Sequence, residues 1–465
     1  MEAITIREIL AAVGGTLLRP FDEDRTIDCV DTDSRTMHEG SLFIPLSGER
    51  FDGHVYIDQA LEDGALGCLT HKSVETLRPD KFYIQVEDTM TALGALARYY
   101  RNKFDLKVVG VTGSVGKTTT KDMVASVLSQ RYRVLKTEGN YNNNIGVPKT
   151  IFRLDHTHQI AVIEMGMNHM GEIDYLTRIA EPDVAVITNV GDAHIENLGS
   201  RENTLRAKAE IFSGVRQGGV AVLNGDDPLI AKLDGVLIHP ITWYGESEHC
   251  AWRCTSIKEA EHDTMHLTAE TPLGHLETTI HCLGRHMLYP ALTAAAVGGR
   301  FGLTLEEISR GIESFVPTKM RMDIVRCKNG VTILNDTYNA NPQSMRAAVD
   351  VLANYSGSYR VAVLGDMLEL GDLGPMLHES VGKAVGGTPG IDCLVTVGQL
   401  GEYIAKGAKS AGMTEVYDRP NKEEAKVVLA QVMQPSAVFL CKASRGMKFE
   451  ELTEYLKRLV ESTAE

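Results

Sequence analysis

The stretch from Val108 to Thr120, VVGVTGSVGKTTT, constrains what this chain can fold into more than any other. An apolar run (Val108, Val109, Val111) enters a glycine-rich turn. Gly116-Lys117-Thr118-Thr119 then opens KDMVASVLSQ, whose apolar residues Met123, Val124, Val127 and Leu128 recur at helical spacing. Strand, glycine loop and helix N-terminus form a polyphosphate cradle: glycines let backbone N–H groups approach the anion, and the helix dipole favours negative charge there. Gly113, Ser114, Val115, Gly116 and Thr119 build the loop, Lys117 reaches the terminal phosphates, and the Thr118 hydroxyl faces a magnesium ion. The full consensus asks for glycine where this chain has Val111, and the short form also occurs in ordinary glycine-rich turns. The strand before and the helix after favour a nucleoside triphosphate site.

At 465 residues the chain is too long for one ordinary core; at about 150 residues per domain it divides into about three. Its 47 basic and 62 acidic residues give a net charge of −15, which argues against a nucleic-acid or membrane-surface partner, since either needs a positive field. No apolar run approaches the roughly 18–20 residues of a membrane span. Near the N-terminus, ILAAVGGTLL has the length of a short signal core, but Glu2 and Glu8 spoil the basic leader. Thr5 and Glu8 instead form a capping box for a helix ending at Gly14-Gly15. The 8 cysteines are scattered, and Cys250 and Cys254 have no second half with metal spacing, which favours reduced thiols in the cytoplasm.

The pattern implies an α/β chain of three domains. Residues 1–85 read as a small α/β module, with a short strand at Leu42–Ile44, a polar turn at Ser47-Gly48-Glu49-Arg50, and strands at GCLT and FYIQV. Residues 86–314 read as a central P-loop ATPase-like parallel sheet, with a helix at 88–103 and strands at Ile160–Ile163, Val184–Thr188 and Val220–Leu223. Segment 238–283 reads as a hairpin, and a helix at 286–300 follows. Residues 315–465 read as a Rossmann-like parallel sheet, with strands at Val331–Leu334, Arg360–Leu364, Cys393–Val397 and Ala437–Cys441. It has no G-x-G-x-x-G, so nothing supports dinucleotide binding. In open parallel sheets ligands gather at the carboxyl ends of strands. Glu164, just past one such end, is therefore a candidate magnesium ligand facing Thr118, and Asn189, Asp192 and His194 follow another. Either could equally be an ordinary capping or loop residue.

These stretches, taken together, resemble the Mur ligase family over nearly the whole chain. The matching strings are GVTGSVGKTTTK, GNYNNNIGVPKT, IEMGMNHMGEI, TNVGDAHIENLGS, RAKAEIF, NDTYNANPQSM, VLGDMLELG and KASRGMKFEEL, in family order and spacing. YNANPQSM and LGDMLELG resemble the dipeptide-adding member more than its siblings, and the DNPR-type string of the diaminopimelate- or lysine-adding member is absent. The resemblance implies a cytoplasmic, monomeric ligase using ATP and Mg2+. Its substrates would be UDP-N-acetylmuramoyl-tripeptide and D-alanyl-D-alanine, joined through an acyl phosphate. It implies catalytic roles for Lys117, Glu164, His194 and Lys208, with Thr118, Glu164, His194 and Lys208 at the metal and Lys208 carbamylated. Arg321 and Asp336 would reach back to the phosphates and ribose, and Tyr338, Asn339 and Asn341 would line the nearby substrate loop. Ser34, Arg35, Ser47 and Gly48 would hold the uridine diphosphate end, and Asn140 and Asn143 the muramyl part.

Two departures stand out. The family's G-R-H-N-x-x-N-A-L reads here Gly284-Arg285-His286-Met287-Leu288-Tyr289-Pro290-Ala291-Leu292, so both asparagines near adenine are gone and His286 remains. Restoring Asn at 287 is expected to tighten ATP if the pocket is merely depleted, and to leave the affinity unchanged if backbone groups or Arg285 and His286 hold the adenine instead. The C-terminal string has Ala443 where glycine is usual, a mild change.

Two other readings compete. A folylpolyglutamate synthase or another amino-acid-adding ligase would share the central module, but not the DSR and LSGERFDGH strings of the first. A GTPase switch is suggested by Asn102-Lys103-Phe104-Asp105. That NKxD string precedes the phosphate loop instead of following it, and no Asp is followed three residues later by Gly.

Overall fold

The computed structural model describes residues 1–48, 51–260 and 263–463. Glu49 and Arg50 of the expected polar turn lie outside them. The N-terminal helix forms over Ile6–Val13 as its signals dictate. The Thr5 side chain and Glu8 complete the capping box, and Gly14 ends the helix with φ +63°. It packs beside a 5-stranded sheet in the order (Thr16–Leu17)-(Phe82–Gln85)-(Gly67–Thr70)-(Ser41–Phe43)-(Cys29–Asp31). The sheet is parallel except at its first strand. The helix Thr89–Arg101 then leads to the phosphate-loop strand.

In the middle of the chain lies a 9-stranded sheet. Its strands are β1 (Lys107–Thr112), β2 (Val134–Lys136), β3 (Ile160–Glu164), β4 (Val184–Ile187), β5 (Val220–Asn224), β6 (Ile241–Gly245), β7 (Trp252–Ala260), β8 (Thr264–Thr271) and β9 (Gly274–Ile280). Their spatial order is β2-β3-β1-β4-β5-β6-β7-β8-β9. Pairing is parallel through β7 and antiparallel beyond it. The expected hairpin is thus the β8–β9 part of a larger antiparallel extension on the edge of the same sheet. β1 is apolar and buried on both faces, as a central parallel strand must be. Apolar residues on its two faces belong to two separate cores. Because β3 lies on one side of β1 and β4 on the other, the chain's direction of winding switches there. The loops after all three strands open at one crevice.

The C-terminal part holds a 6-stranded sheet. Its strands are β10 (Asp323–Arg326), β11 (Thr332–Asn335), β12 (Tyr359–Gly365), β13 (Cys393–Val397), β14 (Val416–Arg419) and β15 (Ala437–Lys442), in the order β10-β11-β15-β12-β13-β14. Pairing is parallel apart from β10. The two strands absent from the sequence reading, β10 and β14, are its edges. They are short and carry charged residues, as exposed edges do.

Neighbouring parts touch through specific residues. Lys149 donates to Asp31 Oδ1 at 2.7 Å, joining the first sheet to the second. Ile195 and Leu283 of the middle part are buried in the C-terminal core. Thr318 donates to Asp122 Oδ2 at 2.8 Å. The eight cysteines form no disulfide, and no described helix is long and apolar enough to cross a membrane.

Candidate active site

The crevice is built on the turn between β1 and the helix α1 (Lys117–Leu128). Gly113 has φ +152°, and a Cβ there would lie 1.8 Å from Thr188 Oγ1; Gly116 has φ +79°. Neither position tolerates a side chain, which fixes the loop's glycines. The segment after β4 buttresses this turn. Thr188 Oγ1 and Asn189 Nδ2 donate to Val115 O at 2.7 and 2.9 Å, and Asn189 Oδ1 accepts from Val115 N at 2.9 Å. Gly191 N donates to Ser114 Oγ at 2.8 Å. Asn189 therefore shapes the loop. Asp192 accepts from Arg201 Nε and Nη2, each at 2.6 Å.

Lys117 Nζ donates to Gly113 O at 2.9 Å and is partly screened from water. Desolvation lowers its pKa, and the Arg321 charge adds to this, while Glu164 and Glu369 pull the other way. Three charged groups, Glu164 from the middle part and Arg321 and Glu369 from the C-terminal part, thus act on one lysine. Glu164, 2% exposed at the end of β3, accepts from Asn142 Nδ2 at 2.8 Å through Oε1. Its Oε2 is buried with no hydrogen-bond partner. Lys208 sits on the helix α2 (Arg201–Ala209), 1% exposed, and no described carboxylate pairs with it. Burial drives its pKa well below the usual lysine value, and the nearby Lys117 charge adds to that. His194, with φ +59°, brings Nδ1 to 2.7 Å from Glu369 Oε2.

Arg321 closes the crevice from the C-terminal part. Its Nη2 donates to the Thr118 hydroxyl at 2.9 Å, and its guanidinium lies 4.1 Å from the centroid of the Tyr338 ring. Its Nε is buried without a partner. Asp336 accepts from Lys442 Nζ at 2.6 Å and from Met322 N at 3.2 Å, and Lys442 also donates to Asn339 O at 2.9 Å.

The donors gathered here are a hydroxyl, a carboxylate and an imidazole, with a lysine that a carbamate would turn into an oxygen ligand. That set suits a hard divalent cation, and the orphaned Glu164 Oε2 is a buried acceptor lacking a partner. Among the described residues no three His, Cys, Asp or Glu side chains gather as a ready-made metal centre.

Other expected residues stand apart or have structural work. Asn143 Oδ1 accepts from Gly146 N at 2.9 Å, capping the helix that follows. Asn140 is exposed, and it is Asn142 that meets Glu164. Asn341 caps the helix over Pro342–Asn354. Asn339 bonds its own loop, accepting from Ala340 N at 2.9 Å. Ser34 begins a turn capped by Asp33, and Arg35 is doubly bonded to Asp33 at 2.9 and 2.7 Å. Ser47 donates to Asp52 at 2.9 Å, and Gly48 is exposed. A cavity of about 300 Å³ has Asp31, Tyr141, Lys149 and Arg153 among its walls.

The expectation that Met287 lines a depleted adenine pocket needs correction. Met287 is 2% exposed within the apolar core, and Pro290 is buried in the first turn of the helix over Leu288–Arg300. An asparagine at 287 would place an amide in that core, at a cost of about 1–3 kcal/mol if it stays unpaired. Of His286, Met287 and Pro290, His286 is the one that is exposed, and a Cβ added at Gly284, where φ is +101°, would lie 2.5 Å from its ring.

A glycine-rich loop between a parallel strand and a helix, met by an arginine from the segment that leads into the C-terminal sheet, has the form of a nucleoside triphosphate site. Family models agree along most of the chain. The model described as Mur ligase family, catalytic domain, matches residues 26–101. The Mur ligase middle domain matches 111–298, and the Mur ligase, glutamate ligase domain, matches 320–445. The UDP-N-acetylmuramoyl-tripeptide–D-alanyl-D-alanine ligase of Bacillus subtilis is 41% identical over 98% of both chains. The crystal structure of Acinetobacter baumannii MurF superposes with a TM-score of 0.92 at 34% identity, over 98% of this chain and 99% of that one. MurF of Thermotoga maritima in complex with ADP gives 0.84 at 29% identity, over 93% and 98%. This chain belongs to the Mur ligase family.

Proposed function

We infer that the chain is an ATP-dependent ligase of peptidoglycan precursor synthesis that joins D-alanyl-D-alanine to UDP-N-acetylmuramoyl-tripeptide. The observation that carries the two-domain reading is Arg321, delivered from beyond the middle sheet onto the phosphate-loop hydroxyl of Thr118. In the division of labour we propose, residues 1–85 hold the uridine diphosphate end through Ser34, Arg35, Ser47 and Gly48. Residues 86–314 hold ATP, and residues 315–465 receive the dipeptide and complete the nucleotide site through Arg321 and Asp336. His286 lies at the adenine end. Asn140 and Asn143 face the muramyl part, and Tyr338, Asn339 and Asn341 line the substrate loop. The same reading takes the protein as a monomer of the cytoplasm, as the family resemblance implies.

The chemistry follows from what a carboxylate lacks, namely a leaving group. A carboxylate oxygen of the tripeptide forms a bond to the γ-phosphorus as the bond from that phosphorus to the β-bridging oxygen breaks, releasing ADP. The dipeptide amine then attacks the acyl carbon, phosphate leaves, and the amine loses a proton. Lys117 and the loop N–H groups neutralise the oxygens of the transferred phosphoryl, exchanging the present Gly113 contact for the anion. The unpartnered Arg321 Nε is a further donor available to a phosphate oxygen. Thr118, Glu164, His194 and carbamylated Lys208 would hold magnesium, which would supply divalent charge to neutralise the transferred phosphoryl. Lys208, whose burial favours the neutral amine, can add to carbon dioxide through its lone pair, losing one proton as the carbamate forms.

Labelling the acceptor carboxylate with 18O tests the activation step. One label is expected in the inorganic phosphate released. Label in AMP, or none in phosphate, would contradict the acyl phosphate.

A further inference from the structure

The loop after β12 leaves the C-terminal sheet and lands beside the candidate metal ligand His194. Glu369 on this loop has φ +64°, an uncommon backbone for a residue with a side chain, and its Oε2 lies 2.7 Å from His194 Nδ1. His194 itself has φ +59°. The contact is short but misaligned, so that His194 Nδ1 makes no hydrogen bond in the ligand-free site, where catalytic contacts are often poorly aligned, and the Glu369 side chain is 58% exposed. The residues that follow on each side continue the seam. Leu370 and Ile195 share the C-terminal core, 3% and 7% exposed. At Gly371, φ +51°, a Cβ would lie 3.0 Å from Glu196 Cγ. Residues 369–371 therefore dock on residues 194–196 as a continuous strip.

We propose that Glu369 is a positioning residue: it accepts the Nδ1 proton of His194, fixes the tautomer that offers the Nε2 lone pair to a divalent cation, and so makes cation binding depend on closure of the C-terminal domain. The proposal rests on the reading of His194 as a metal ligand. Histidine ligands commonly donate their other ring N–H to a carboxylate, and losing that partner weakens metal binding by about 10–100-fold. Here the carboxylate arrives from another sheet. The imidazole is oriented only while that sheet is docked.

Two measurements on the full-length protein test this. Long-range 1H–15N spectra of the metal-free enzyme report the His194 tautomer, and Mn2+ titration with a non-hydrolysable ATP analogue reports cation affinity. The wild type is expected to show Nδ1–H. Glu369→Leu should lose that preference and weaken Mn2+ by about 10-fold or more. Glu369→Asn, which tolerates the left-handed backbone but is too short to reach, should do the same if the leucine variant folds poorly. Glu369→Gln, whose amide oxygen still accepts, should retain the tautomer and most of the affinity. Unchanged tautomer and Mn2+ affinity in the leucine and asparagine variants would overturn the proposal. So would a rise confined to the KM for D-alanyl-D-alanine, which would assign Glu369 to the amine's site. If His194→Ala also leaves Mn2+ affinity unchanged, the metal-ligand reading itself fails; if it weakens Mn2+ while the Glu369 variants do not, only the positioning role fails.

Discussion

Replacing Lys117 with alanine is expected to lower kcat by at least about 10³-fold, roughly 4 kcal/mol of transition-state stabilisation, while leaving the fold intact. The lysine starts the helix at the mouth of the phosphate loop, and its ammonium is only partly exposed to solvent. Its charge opposes Glu164 and Glu369 in the ligand-free state and would oppose the transferred phosphoryl during reaction. A charge-assisted contact that strengthens as phosphoryl charge redistributes affects kcat more than substrate binding. Steady-state kinetics on the purified variant, with thermal unfolding alongside, separates this from simple destabilisation. A variant with kcat within tenfold of wild type would remove Lys117 from the phosphoryl-transfer step.

Lys208→Ala is expected to abolish most activity, a loss of about 100-fold or more, and short carboxylic acids such as acetate or propionate should restore part of it. A surface lysine would tolerate the change. Lys208 is 1% exposed and has no described carboxylate partner, so as an ammonium it would be an uncompensated buried charge beside Lys117. Both the burial and the neighbour favour the neutral amine, the form that reacts with carbon dioxide. Rescue by a carboxylate distinguishes a missing oxygen ligand from a packing defect, since filling a cavity needs no negative charge. Full activity in the alanine variant would return the residue to a structural role.

How far the sequence reaches can be judged residue by residue. The phosphate loop was legible because its signal is local: strand, glycines and helix adjoin in the chain. The rule that ligands collect at the carboxyl ends of parallel strands pointed to Glu164 and His194, and the structure does put them at the end of β3 and in the segment after β4. Lys208 was not legible by periodicity, because RENTLRAKA is polar almost all round and shows no apolar face; only the family resemblance singled it out. Glu369 had no local signal either, since its role depends on a contact 175 positions away in sequence. Within NYNNN, choosing Asn142 over Asn143 requires the backbone path that turns one toward Glu164 and the other onto a helix N-terminus. Met287 and Pro290 look like missing ligands in the string, but the turn over Arg285–Met287 and the helix after it rotate both into the core.

The most direct test of the ligase assignment is ADP release measured with ATP, magnesium, UDP-N-acetylmuramoyl-tripeptide and D-alanyl-D-alanine, omitting each in turn. Lysine- and diaminopimelate-containing tripeptides should be run in parallel. ADP is expected only when all four are present, in step with formation of the pentapeptide product. ADP formed at the same rate without the dipeptide, or ligation of a folate or a free amino acid in its place, would contradict the account.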